Sequence, residues 1–290
     1  MKAAILAILL LIGSSVGTPQ NLSPWTPPKQ PVYVVAPNNT SEGSGPTDTK
    51  FGDLLMVQIF PMSPESANTD GDQAERKKLY EVGKVIPLYA DGERRGEVRT
   101  TVIKEHQCNS AAALVVPTLP AVSKMIVGIA TNSAGIRSRP GSRRNATASE
   151  RASAMQLAIQ EFRRNNVEPS LMSQIKNDEL VVIEVDDTRE KTLVGSFFVQ
   201  TKTERDDVFL IVRFGGSTPT VDYSNYSQTT DLDDFKDHLS IAFVDHLDLN
   251  GDHSDEIVLS VHGYENEGSE VLERQRGNWR VVATGGDAGC

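Results

Sequence analysis

Acidic and amide oxygens alternate through the stretch Asp248-Leu249-Asn250-Gly251-Asp252-His253-Ser254-Asp255-Glu256, and a strand-like run, Ile257-Val258-Leu259, follows at once. Side chains two apart in a tight loop point to one side. Asp248, Asn250, Asp252 and Glu256, at the first, third, fifth and ninth places, are therefore placed to converge on a hard cation. The main-chain carbonyl of Ser254 supplies a further oxygen, which suits calcium's taste for about six to eight oxygens at roughly 2.3–2.6 Å. The same composition also suits a polar turn that holds no metal, because Asn and Asp cap their own backbone and tolerate left-handed conformations.

An EF-hand would carry a bidentate Glu at the twelfth place, and that place is Leu259. The loop resembles instead the D-x-[DN]-x-D-G-x-x-[DE] calcium loops of FG-GAP (VCBS-type) repeats, which lie between two strands. The resemblance covers Leu239–Thr284, and a degenerate copy precedes it. Val181–Asp186 aligns with Phe243–Asp248, Thr192–Ser196 with Glu256–Ser260, and Val208–Phe214 with Val271–Gly277. The resemblance implies blade-like units of four antiparallel strands and a structural calcium ion held by Asp248, Asn250, Asp252, the Ser254 carbonyl and Glu256. His253 stands where the family carries glycine, and His is among the residues enriched at positive φ. A closed propeller needs at least four blades. With two units legible, the expected fold is α+β and β-rich: two blade-like antiparallel meanders, not a closed propeller, with one main packed helix.

Four of the five histidines, His238, His246, His253 and His262, lie in the same region, beside Asp245 and Asp248. Imidazoles with carboxylates raise a second metal chemistry, zinc above all, yet no H-E-x-x-H or H-x-H pair is present. Solvated strand-edge histidines are the simpler reading. The acidic run Asp231, Asp233, Asp234, Asp237 either extends a metal site or opens a solvated helix.

The elements that position this region begin after a Pro-, Ser- and Thr-rich stretch, 18–50, which reads as a disordered leader. A β-rich segment, 51–131, follows, with Leu54–Phe60 as an apolar strand candidate. In it Asp91-Gly92 joins Val85–Ala90 to Glu93–Ile103 as a type I′ hairpin, and Gly96 suggests a bulge. The segment 132–178 is a loop and helical connector. Its cluster Arg137, Arg139, Arg143, Arg144 reads as a solvated linker, with an anion site as the alternative. Thr147-Ala148-Ser149-Glu150 is a capping box, and Ala152, Met155, Ile159 and Phe162 recur as one apolar stripe, expected to pack on a sheet. The repeat-containing β region occupies 179–290.

Composition narrows the class of function. Asp and Glu outnumber Lys and Arg by 39 to 29, giving a formal charge of −10. Such a surface repels phosphate backbones, and no basic patch interleaved with aromatics offsets it, so nucleic acid is not an expected partner. Lys2, the apolar run Ala3–Ile12 and small residues to Gly17 form a secretory signal peptide, 1–17. That run is too short to cross about 30 Å of hydrocarbon, so no membrane span is expected and the chain is expected to be secreted or periplasmic. Two cysteines, Cys108 and Cys290, allow one intramolecular disulfide; unpaired thiols or an intermolecular bridge are the alternatives. Together these features suggest an exported, calcium-stabilised binding or surface-interaction protein with a protein or glycan partner. The alternative is an extracytoplasmic hydrolase built on a metal or a His/Asp cluster within 238–262.

Overall fold

The computed structural model describes residues 25–37, 54–60, 80–105, 111–118, 127–216, 218–230, 239–263 and 267–285. The expected signal peptide, 1–17, Cys108, Cys290, His238 and the acidic run 231–237 lie outside the described residues, and so do the expectations that rest on them.

Six strands form the N-terminal part: β1 (Val32–Pro37), β2 (Leu54–Phe60), β3 (Val85–Ala90), β4 (Glu93–Glu105), β5 (Ala111–Pro117) and β6 (Gly128–Thr131). They close into a barrel in the order β1-β2-β5-β4-β3-β6. This corrects the expectation of open meanders throughout. The physical reason lies in β1, which comes from the Pro-rich stretch expected to be disordered. Val32-Tyr33-Val34-Val35 is a β-branched and aromatic run between prolines, and it pairs with β2 on one side and with β6 on the other. Removing both sheet edges in this way needs that one strand. The barrel interior is filled by Tyr33, Val35, Leu54, Met56, Leu88, Val98 and Val115, among others. The β3–β4 turn has Asp91 at φ 57 and Gly92 at φ 69, the two positive values that a type I′ hairpin requires. Its bulge falls one residue before Gly96: Leu88 pairs with Gly96 and Tyr89 with Arg94, leaving Arg95 as the extra residue.

A second sheet contains β7 (Arg143–Asn145), β8 (Lys176–Glu184), β9 (Lys191–Gln200), β10 (Glu204–Arg213) and β11 (Thr220–Thr230), in the order β11-β10-β9-β8-β7. A third sheet holds β12 (Ser240–Leu247), β13 (Glu256–His262), β14 (Glu267–Gln275) and β15 (Asn278–Gly285) in chain order. From β8 to β11 and from β12 to β15 the chain makes the same four-stranded antiparallel meander, with an acidic turn between the first and second strands of each.

Helix α1 (Ala148–Arg164) opens with the Thr147/Glu150 capping box that its sequence specifies. The face it buries is Ala154, Ala158 and Phe162, not the stripe through Ala152, which is exposed. Alanines let the helix backbone approach the second sheet closely, so the small-residue face is turned inward; Phe162 and the partly buried Met155 are common to both patterns. The layers then follow in order: α1 on one face of the second sheet, that sheet's other face on the third sheet, and the third sheet on the outer wall of the barrel. The third sheet is thus covered on both faces, and the acidic loop between β12 and β13 leaves from this covered layer.

Candidate metal centre

Within the loop, Asp248, Asn250, Asp252 and Glu256 each satisfy at least one backbone amide. Asp248 accepts from Gly251 N at 2.7 Å and from His253 N at 3.1 Å, one bond to each carboxylate oxygen. Asn250 Oδ1 accepts from Asp252 N and Asp252 Oδ1 from Ser254 N, both at 2.8 Å. Glu256 Oε2 accepts from Leu249 N at 2.7 Å. Gly251 sits at φ 83 and His253 at φ 77, so the sixth place does take the left-handed conformation that its histidine tolerates. These bonds build the turn and leave each carboxylate with lone pairs to spare.

Three carboxylates converge: Asp252, Glu256 and Glu273 each bring an oxygen within 4.8 Å of the others. Two of them belong to the ligand set expected from the loop. Asp248 stays outside this carboxylate group, being fully buried and turned to the amides. Asn250 borders it, its amide nitrogen 3.5 Å from Glu273 Oε1. Glu273 comes from β14 and was invisible to loop spacing. Its only sequence signal is that β14 pairs in register with β13, the strand that Glu256 opens. Among the described residues no histidine joins such a group, so the imidazole-based metal site finds no support in the geometry.

The electrostatics of the loop are those of uncompensated negative charge. Burial pushes the Glu256 carboxyl up to about 8; the Asp252 and Asp248 charges push the same way, and the Leu249 amide and Trp25 indole oppose them. Burial also raises Asp248, against the pull of the Gly251 and His253 amides. Among the described residues no lysine or arginine lies within salt-bridge distance of Asp248, Asp252, Glu256 or Glu273, although Arg280 stands opposite Glu273 in the β14–β15 register; His253 Nδ1 lies 3.9 Å from Asp248. The turn between β8 and β9 makes the contrast. There Asp186 and Glu190 face the Arg274 guanidinium at 3.6 and 2.7 Å, Arg213 stands 3.8 Å from Glu190, and Arg189 at φ 59 occupies the place of Gly251. One acidic turn carries its own cation and the other does not. An all-oxygen, mostly carboxylate donor set fits a hard divalent ion such as calcium, which would offset the burial cost, and the smaller Asp252 and Asp248 repulsion, that raise Glu256.

The neighbouring histidines and arginines depart from their sequence reading. His246 is wholly buried rather than solvated at a strand edge, while His253 is exposed and His262 is half-buried beside Ser260, 2.8 Å away. Arg139 and Arg143 are only 13% and 15% exposed, so these two are structural, while Arg137 and Arg144, at 49% and 39%, keep the solvated character expected of the cluster. Arg139 donates to Asp255 at 2.9 Å, to Asp187 at 2.7 Å and to the His253 carbonyl at 2.8 Å. His246 Nδ1 lies 2.7 Å from Asp255 Oδ2, and its Nε2 lies 3.3 Å from Ser142 Oγ. The order Ser–His–Asp matches a hydrolase relay. It is sealed, however: Ser142 is 6% exposed, His246 is 0% exposed, and Gly92 at the hairpin tip lies against both. Comparison with protein-family models, with curated proteins and with solved structures gives no match to this chain.

Proposed function

We propose that this chain is an exported, β-rich binding or surface-interaction protein whose FG-GAP-like loop is stabilised by one calcium ion, with a protein or glycan as its partner. The observation that carries the reading is the pair of acidic turns: Arg274 neutralises the first, whereas Asp252, Glu256 and Glu273 converge in the second with no lysine or arginine among the described residues within salt-bridge distance of them. Asp252 and Glu273 act as the anionic ligands reached from the loop and from β14, Glu256 as the buried one, and the Asn250 and Ser254 oxygens are within the same turn to complete the shell. Trp25, whose indole donates to Glu256 Oε1 at 3.4 Å, gives the site its own reporter. Terbium, a luminescent stand-in for calcium, should be sensitised by Trp25 and displaced by calcium. Glu273→Gln should weaken both effects, and terbium emission that ignores calcium and Glu273 would remove the reading.

A second reading, an extracytoplasmic hydrolase, has one observation in its favour, the Ser142–His246–Asp255 order. Against it stands burial, with Ser142 and His246 almost wholly covered. Covalent labelling of the folded chain by a fluorophosphonate, lost in Ser142→Ala, would make it the better account.

A further inference from the structure

We infer that Arg139 is a latch that makes docking of the barrel's β3–β4 hairpin depend on the acidic loop. The inference deepens the calcium reading above and rests on it for the ion alone. The contacts run in one chain. The Arg139 guanidinium holds the loop at two points, the His253 carbonyl and the Asp255 carboxylate. The Arg139 backbone amide donates at 2.7 Å to the carbonyl of Gly92, the hairpin tip. Gly92 in turn donates its amide to Asp245 Oδ1 on β12 at 3.1 Å, and its Cα face rests on Ser142 and His246. Asp255 closes the circuit, because its other oxygen holds His246. A single residue therefore grips the loop with its side chain and the barrel with its main chain.

The two arrangements that the latch selects between are a docked hairpin and one released by local opening, the usual unit of sub-global unfolding. A cation held by Asp252 and Glu256 brackets residues 253–255, the two of which that grip Arg139 being His253 and Asp255. Fixing the bracket pre-orders both acceptors, so the guanidinium loses less freedom on docking and the hairpin opens less often. Coupling of this kind is reciprocal: a docked hairpin raises cation affinity by the same factor. The geometry depends on a guanidinium specifically. A lysine ammonium is a point charge and cannot span the carboxylate and the carbonyl together.

Hydrogen exchange on the full chain, in calcium and in EDTA, tests the latch. In the wild type calcium should slow exchange of the Gly92 amide by about tenfold, the factor expected when one charge-assisted hydrogen bond is secured. In Arg139→Lys calcium should still raise the unfolding midpoint, yet Gly92 protection should no longer follow calcium. Equal calcium dependence of Gly92 in both proteins overturns the latch. If calcium leaves the wild-type midpoint unchanged, the calcium reading fails and the latch is judged in EDTA alone. Arg139→Lys should then exchange Gly92 about tenfold faster than wild type, and an unchanged rate overturns it.

Discussion

Replacing Gly92 by alanine probes the joint between barrel and third sheet with a magnitude that the geometry supplies. A Cβ at this position would lie 2.5 Å from both Ser142 Oγ and His246 Cε1, and 2.8 Å from His246 Nε2. Neither neighbour yields easily, since His246 is held by Asp255 and Ser142 begins the segment that β7 continues. The residue also stands at φ 69, where alanine costs about 1–2 kcal/mol. Forcing a methyl into a filled site adds about 1–3 kcal/mol, for a total loss of about 2–5 kcal/mol. Gly277 provides the control: it has φ 82 in the β14–β15 turn and nothing within 4 Å of its Cβ position. Gly277→Ala should show the backbone cost alone, about 1–2 kcal/mol. Urea unfolding of the two variants, compared at equal m-values, reads the difference directly. Equal losses for Gly92→Ala and Gly277→Ala would mean that the hairpin tip does not key into the Ser142–His246 pair.

Two further outcomes follow from packing and titration. Ala158→Leu should lower stability by about 1–3 kcal/mol because the helix meets the second sheet there, whereas Ala152→Leu, at an exposed position, should change it by less than about 0.5 kcal/mol; similar values would put the buried face of α1 elsewhere. Without a cation, the folded chain keeps the Glu256 proton up to about pH 8, while the unfolded chain releases it near 4.5. The folded state binds the extra proton across that window, so stability in EDTA falls as pH rises through it, with Asp245, raised to about 6 by burial, adding to the fall at its acid end. Calcium favours ionised Glu256 and should cancel that part of the fall, making its stabilising effect larger at pH 8.5 than at pH 5; a calcium effect that shrinks with rising pH would contradict this sign.

Local features were legible in the sequence and non-local ones were not. Thr147 with Glu150 specified the start of α1, and Asp91-Gly92 the hairpin, because capping and turn chemistry act within a few residues. The acidic loop could be placed between two strands for the same reason. Barrel closure depends on Val32–Pro37 reaching β6 almost a hundred positions later in the chain, and its proline-rich surroundings outweighed its β-branched run. The helix phase was misjudged because alanine carries little hydrophobic weight, although close approach to a sheet favours it. Glu273 and Arg139 belong to the loop's chemistry through strand pairing and tertiary contact, and spacing along the chain holds no signal for either. Burial of His246 likewise depends on Gly92, which arrives from the other end of the molecule.

The central claim is that the loop of β12–β13 holds a calcium ion, and thermal unfolding of the wild-type chain against calcium concentration tests it most directly. A ligand that binds only the folded state raises the midpoint in proportion to the logarithm of its concentration, by about 2.7 kcal/mol at a hundredfold excess over the dissociation constant. The account predicts that rise for calcium, a much weaker one for magnesium, and none in Asp252→Ala, which removes the exposed carboxylate of the group formed with Glu256 and Glu273. A wild-type midpoint indifferent to millimolar calcium would leave the loop as a polar turn held by its own amide hydrogen bonds.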